Sequence, residues 1–256
     1  MKDPDVIINI KKDKYTSECF CMNIYVADIF VDKRHFRDKL EITRAIIKKL
    51  RNLNNQWYVT CKSTVSDIPV IHGLEGAGFK LMSVDATFYI KPGPITRNLH
   101  NINNEIRIEE YSDVYDDAFS ALIKNTPQFF DNTHYYNSPY FDRRLCDLFY
   151  RRWILKDIGG RSNRNYLAIY ENRIVGFSLC IEKDNEAIID LIWVDEDMRG
   201  RGVGTLMIYK LFNDVKKKVV KVPTQITNSN AINIYIKIGF KIRDIYAAYH
   251  KYGGTR

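Results

Sequence analysis

The residues best suited to chemistry lie between Ile188 and Thr205, which read Ile-Ile-Asp-Leu-Ile-Trp-Val-Asp-Glu-Asp-Met-Arg-Gly-Arg-Gly-Val-Gly-Thr. An apolar strand runs into a charged turn, then a loop with glycine at 200, 202 and 204. A helix follows, with Met207, Ile208, Leu211, Phe212 and Val215 along one face. Glycine lets a backbone take unusual dihedrals and approach a ligand closely. Exposed N–H groups at a helix N-terminus favour an anion, so Arg199, Gly200, Arg201, Gly202, Val203, Gly204 and Thr205 form a candidate phosphate loop. A tight strand-to-helix turn without a ligand is the plainer alternative. A Walker loop ends in Gly-Lys-Ser/Thr, and Gly204-Thr205 lacks the lysine. The dinucleotide fingerprint needs glycines at spacing one, three and six, which 200, 202 and 204 do not match.

A second segment, Thr224 to Phe240, places Ala231, Ile234, Tyr235 and Ile238 at i, i+3, i+4 and i+7, hence on one helical face. Gly239 closes that helix, and Asn228 precedes it, where its side chain can cap the helix or reach a ligand amide. Tyr235 alone would read as a core tyrosine at helical spacing. Arg199-Gly200-Arg201-Gly202-Val203-Gly204 resembles the acyl-CoA loop Arg/Gln-x-x-Gly-x-Gly/Ala of the GCN5-related N-acetyltransferases (GNAT). Asn228 to Phe240 resembles the same family's Asn-x-x-Ala-x-x-x-Tyr-x-x-x-Gly-Phe motif, in the same order along the chain.

The resemblance implies an α/β (α+β) fold with a mixed central sheet flanked by helices, acetyl-CoA as co-substrate, no metal, and direct attack of an amine on the thioester. It implies that backbone groups of Ile192, Trp193 and Val194 pair with the pantetheine arm. Amides from Arg199 to Gly204 would hold the pyrophosphate, Thr205 would open the helix, and Asn228 would contact the pantetheine. Tyr235 would protonate the leaving thiolate as general acid. Asp190 is the nearest candidate for a base or an acceptor contact, and equally a carboxylate satisfied on its strand.

A narrower resemblance rests on Gln128-Phe129-Phe130-Asp131, on the helix ending Tyr150-Arg151-Arg152-Trp153-Ile154, and on Thr224-Gln225. These are similar to the two-domain dTDP-fucosamine acetyltransferases and related enzymes of nucleotide-linked amino sugars. The implied acceptor is a dTDP-4-amino-4,6-dideoxyhexose, the implied setting lipopolysaccharide O-antigen biosynthesis, and the implied acceptor contacts Gln225, Phe129 and Phe130. The aromatic tract Phe129, Phe130, Tyr135, Tyr136, Tyr140 and Phe141 offers faces for a base or sugar, or else packs between two domains. Pro127-Gln128 replaces a basic residue common in that group, and the tract from Asn132 to Tyr140 is an aromatic insertion. Rival readings are an acetyltransferase for a protein, lysine or antibiotic amine, and a CoA-binding protein without turnover.

These residues need a scaffold. Lys91-Pro92-Gly93-Pro94 through Asn104 is rich in proline, glycine and asparagine, which divides the chain into 1–92, a linker at 93–105, and an acetyltransferase domain at 106–256. The first part reads as a smaller, degenerate N-terminal domain without the phosphate loop. Apolar spacing predicts helices over Lys33–Leu53, from Asp67 to Gly78, over Val114–Lys124 and over Asp142–Ile158. Strands are expected at Trp57–Cys61, Ala86–Ile90, Ile106–Glu110 and Ala187–Val194. Tyr166–Tyr170 and Ile174–Ile181 read as a hairpin. Leu74-Glu75-Gly76-Ala77-Gly78-Phe79-Lys80-Leu81 echoes Tyr235-Ile236-Lys237-Ile238-Gly239-Phe240-Lys241-Ile242, which suggests a degenerate duplication.

Composition bounds the rest. With 256 residues and 45% hydrophobic content the chain can bury a full core. The net charge of +8 suits an anionic ligand. The lysines are scattered apart from Lys216-Lys217-Lys218 at a helix end, and no basic-aromatic array points to nucleic acid. Five cysteines at irregular spacing without a Cys-x-x-Cys predict reduced thiols rather than disulfides or zinc. No apolar run approaches a signal peptide or membrane span, so a cytoplasmic protein with no membrane partner is expected. The sequence sets no oligomeric state, and a homodimer is compatible with it.

Overall fold

Period-two alternation along the strands leaves both faces of a sheet to be covered, and the fold is that arrangement carried across the molecule. The computed structural model describes residues 6–32, 39–93, 105–126, 128–131, 133–215 and 218–253. Residues 94–104 of the linker expected at 93–105, residues 33–38 of the helix expected over Lys33–Leu53, and the lysines at 216 and 217 lie outside these. In the first half come β1 (Val6–Lys12), α1 (Lys14–Phe20), β2 (Ile24–Val31), α2 (Lys39–Leu50), β3 (Trp57–Thr64), α3 (Ile68–Gly76) and β4 (Lys80–Ile90). Next are β5 (Arg107–Glu110), α4 (Asp116–Asn125), α5 (Arg143–Lys156), β6 (Arg164–Tyr170), β7 (Arg173–Glu182) and β8 (Glu186–Val194). The last are α6 (Val203–Val215), β9 (Val219–Gln225), α7 (Ser229–Ile238) and β10 (Lys241–Gly253). The sequence pattern singles out most of these to within a few residues. It does not single out β1, α1 and β2, which precede the first clear helical period.

All ten described strands form one mixed sheet in the order β1-β2-β3-β10-β4-β9-β8-β7-β6-β5. Only β2–β3 and β8–β9 run parallel, and each of these pairs is bridged by a helix, α2 or α6. The helix–strand ends repeat as the sequence echo suggests. Phe79 N–H donates to Leu74 C=O at 2.9 Å, and Phe240 N–H donates to Tyr235 C=O at 2.9 Å. Gly78 and Gly239 both turn at positive φ, +80° and +111°. The final strands are exchanged: β10 pairs with β3, β4 pairs with β9, and β4 and β10 lie antiparallel at the centre.

Alternate residues of β6 show how the sheet is covered. Leu167 and Ile169 face Phe119 and Ile123 of α4 and Ile154 of α5, while Tyr166 faces Ile208 and Phe212 of α6. Asp142 caps α5, accepting from Arg144 N–H at 2.7 Å. In the first half, Ile42, Ile46 and Leu50 of α2 and Val70 and Leu74 of α3 pack on Val59 and Cys61 of β3 and on Ala247 and Tyr249 of β10. No described helix is long and apolar enough to cross a membrane. Leu74 is fully buried, so Leu74→Ala should cost about 2–5 kcal/mol in urea unfolding. Because the sheet is continuous through β10, the fluorescence transition and the circular dichroism transition should coincide. A separate early transition in the variant would show that the first half unfolds alone.

Candidate active site

Backbone pairing between β8 and β9 stops early. The parallel register covers only Glu186↔Val219, Ala187↔Val220 and Ile188↔Lys221, although β8 runs on to Val194 and β9 to Gln225. At the parting point the β7–β8 register jumps from Leu179↔Leu191 to Cys180↔Ile189, which leaves Asp190 as the extra residue of a β-bulge. The two strands splay, and a cleft of about 1090 Å³ opens between them. Ile192, Trp193 and Val194 form one edge, and Gln225 and Asn228 form the other. Phe129 and Phe130 stand on the wall facing them. Phe129 is packed edge-on against Trp193 and Phe177.

The charged turn after β8 leads directly to the loop. Gly200 and Gly202 take φ of +80° and +83°, a region that L side chains seldom enter. Arg199 is tied back by its Nε–H to Val194 C=O at 3.3 Å, and Arg201 is exposed. Helix α6 begins at Val203, and Leu206 N–H donates to Gly202 C=O at 3.0 Å. The amides of Val203, Gly204 and Thr205 therefore lie in the first turn, where a helix supplies no acceptor. Unpaired amides, positive φ and the positive end of the helix dipole together fit a pyrophosphate.

Asn228 caps α7, its Oδ1 accepting from Ala231 N–H at 3.2 Å. Asn228 itself is among the cleft-lining residues. Tyr235 is buried, 3% exposed, in the core cluster, with ring centroids 5.7 Å from Phe88 and 5.6 Å from Phe240, and like Asp190 it is not among the cleft-lining residues. Burial raises its pKa well above the ordinary tyrosine value, so the hydroxyl keeps its proton throughout the neutral range.

The Acetyltransferase (GNAT) family profile matches residues 106–240, more than half of the chain. The chain belongs to the GNAT family. It is 25% identical over 137 residues to the spore coat polysaccharide biosynthesis protein SpsD of Bacillus subtilis, covering 52% of this chain and 47% of that protein. The chain spans about half the length of the curated relatives it matches. A GCN5-related N-acetyltransferase from Sphaerobacter thermophilus superposes with a TM-score of 0.63 at 14% identity, over 97% of this chain and 76% of that one. A tandem GNAT protein from the clavulanic acid biosynthesis pathway gives 0.60 at 11% identity, over 100% and 86%. At these identities the likeness is one of fold, and it extends over both halves of the sheet.

Within this GNAT site the bulge is held by side chains that local spacing does not reveal. Trp153 Nε1–H of α5 donates to Asp190 Oδ2 at 2.8 Å, and the Arg161 guanidinium donates to the same oxygen. Arg161 also binds Asp157 Oδ1 and lies 5.0 Å above the Trp153 ring. The Asp190 carboxylate is thus engaged on its strand, and its side chain is not among the cleft-lining groups. Asp157 is fully buried. Burial pushes its carboxyl up to about 6, Arg161 pulls it down, and the Asp190 charge adds to the push. The sequence pattern singles out Trp153 but neither Arg161 nor Asp157: Arg161 meets Asp190 across 29 positions, and the i, i+4 pair of Asp157 and Arg161 follows no apolar period that would mark it. Among the described residues no group of three or more His, Cys, Asp or Glu side chains is placed to hold a metal ion.

The aromatic tract divides. Phe129 and Phe130 line the cleft, whereas Tyr135 and Phe141 pack with Phe20, Tyr58 and Phe149, and Tyr140 stacks on Tyr252 at 5.0 Å. Tyr136 stacks on Tyr150 at 5.7 Å. Tyr135, Tyr140 and Phe141 therefore join the two halves.

Two outcomes follow from this geometry. Gly202→Val places a β-branched residue at a left-handed φ, a strain of about 1–3 kcal/mol. The loop should leave its phosphate-holding form, and the Kd for acetyl-CoA measured by calorimetry should rise about tenfold or more. Asp157 has a folded pKa above its unfolded value, so its contribution to stability is full below about pH 4 and is lost as pH rises through about 6. Urea melts between pH 4 and 7 should show wild type losing stability relative to Asp157→Asn over that window. A constant difference would remove Asp157 as the titrating group.

Proposed function

We propose that this protein transfers an acetyl group from acetyl-CoA to the amine of a nucleotide-linked amino sugar, a dTDP-4-amino-4,6-dideoxyhexose, in the cytoplasm. The observation that carries acetyl transfer is the parted edge of β8, which ends at a glycine loop on a helix N-terminus. Ile192, Trp193 and Val194 are bonded to β7 on one side through Ser178, Phe177 and Gly176. On the other side their backbone groups face the cleft, ready to pair with the amides of an extended pantetheine arm. The amides of Gly200 to Thr205, with Arg199 and Arg201 beside them, hold the pyrophosphate. Asn228 uses its oxygen to cap α7 and its Nδ2 to reach the arm.

Bound acetyl-CoA supplies a thioester activated toward an amine. The chain aligns that thioester with the amine, and effective molarities of about 10⁵ M or more are attainable by such alignment. Tyr235 holds a proton on its hydroxyl for the leaving thiolate, and the proton that the amine loses passes to water. Asp190 we assign to holding the bulge rather than to taking the amine's proton, because Trp153 and Arg161 already occupy its carboxylate. We further read residues 1–92 as a duplicated half that has lost its chemistry, since Leu74 stands at the position equivalent to Tyr235.

A carbohydrate acceptor is supported by the match to a protein named for polysaccharide biosynthesis, and by Phe129 and Phe130 on the cleft wall beside Gln225. Aromatic faces suit a sugar or base, and the net charge of +8 suits a diphosphate. The test compares kcat/KM for the dTDP-linked amino sugar, the free amino sugar and a lysine peptide. The nucleotide-linked sugar should be best, because binding of the remote nucleotide positions the amine. A peptide that proved best would sink the sugar reading and leave acetyl transfer standing. Tyr235→Phe should lower kcat by about 10-fold or more while acetyl-CoA still binds. An unchanged kcat would reduce Tyr235 to a packing residue.

A further inference from the structure

Residues 133–141 cross from the acetyltransferase cleft to the first half of the chain. At the near end Phe129, Phe130, Asp131 and Thr133 line the cleft. Midway Tyr136 donates to Asp147 and stacks on Tyr150 within the family region of 106–240, whereas the polar partners of His134, Asn137 and Ser138 lie outside it. Ser138 Oγ is 2.6 Å from Tyr58 Oη, and the same Tyr58 oxygen is 2.5 Å from His250 Nδ1. His250 Nε2 is 2.8 Å from His134 Nδ1, and Asn137 Nδ2 donates to Met82 C=O at 2.8 Å. Phe141 packs on the Tyr58 ring at 4.5 Å. Tyr58, Met82 and His250 belong to β3, β4 and β10, the three strands at and beside the exchange.

The polar chain can be fully satisfied with both histidines neutral. Ser138 can donate to Tyr58, Tyr58 to His250 Nδ1, and His250 Nε2–H to His134 Nδ1, or every link can run in reverse. Burial lowers the His134 pKa to about 3 and the His250 pKa to about 2, with the Lys62 charge adding to both and His134 adding to His250. Both histidines therefore stay uncharged through the neutral range. Asp85, which pairs with Lys62 at 2.8 Å, is the carboxylate that faces His250 and opposes the shift.

We infer that the first half of the chain acts as a positioning device for the acceptor: through Tyr58, His250 and Met82 it holds the 133–141 strap, and the strap sets where Asp131, Thr133 and the two phenylalanines stand in the cleft. The acyl-CoA side is built from β8, α6 and α7, and none of Tyr58, Met82 and His250 is among the residues that line the cleft. Tyr58 is thus a positioning residue that should govern the acceptor and leave acetyl-CoA alone. The assignment of the strap to the acceptor rests on the cleft reading proposed above.

The test uses the full chain with Tyr58→Phe, which deletes the oxygen shared by Ser138 and His250 and keeps the ring on Phe141. Losing these bonds should raise KM for the dTDP-4-amino-4,6-dideoxyhexose about tenfold, with KM for acetyl-CoA within about twofold of wild type. Amide exchange should quicken from Gln128 to Phe141 and stay unchanged across Arg199 to Thr205. Asn137→Ala should act in the same direction, and it serves if Tyr58→Phe fails to fold. Equal shifts in both KM values, or an acceptor KM that does not move, would overturn the inference. If wild type turns over no sugar nucleotide, that acceptor reading fails by itself. The exchange data then decide: faster exchange reaching Phe129 to Asp131 sustains the anchor, and unchanged exchange there refutes it.

Discussion

A β-strand has two hydrogen-bonding edges, and a strand that leaves its neighbour must find other partners for those groups or expose them to water. In this protein the edge of β8 from Ile189 to Val194 is left by β9 after three paired positions, and the site depends on that separation. The bulge at Asp190 turns the strand where the parting begins. Beyond it, the same strand runs through Asp195 and Arg199, which line the cleft with it, into the glycine loop, so an unpaired edge is followed directly along the chain by a set of first-turn amides. A ligand that is an extended amide chain at one end and a pyrophosphate at the other satisfies both together.

Such a parting is stable only if the separated strands are held from behind. β8 is held by β7 along its whole length and by the Trp153–Arg161–Asp157 group under the bulge. β9 is held by β4, a strand from the first half of the chain, through Asp85↔Gln225 to Ile90↔Val220. The exchange of final strands therefore bears directly on the cleft. Without β4 alongside it, β9 would be an edge strand over most of its length, free to close on β8.

Much of the site was legible in the sequence because its parts are local. Gly200 to Thr205 and Asn228 to Gly239 each encode a short piece of backbone whose conformation follows from the residues themselves. The helix-closing echo at Gly78 and Gly239 was legible for the same reason, down to matching hydrogen bonds. The exchange of β4 and β10 was not, because the same local pattern fits an exchanged or an unexchanged sheet. Asp190 could be read from its strand either as a base or as a satisfied carboxylate, and its partners are set by tertiary packing. The Tyr58–His250 contact joins residues 192 positions apart, a pairing that no spacing rule can supply. The strands of the opening segment to Val31 were not legible because apolar residues on them are exposed, with Ile7, Val26 and Phe30 turned to solvent, so the usual alternation is blurred.

The placement of β10 also has a consequence for how the chain reaches this shape. Its partner β3 emerges from the ribosome nearly two hundred residues earlier, about ten to forty seconds before it at ordinary rates of synthesis. Throughout that interval the first half has its helices and most of its strands but lacks the strand that joins β3 to β4. Closing that gap is a loop closure of very long range, which slows folding. The nascent first half thus presents an open strand edge for the whole of synthesis, and a holding chaperone or a second nascent copy would find it there.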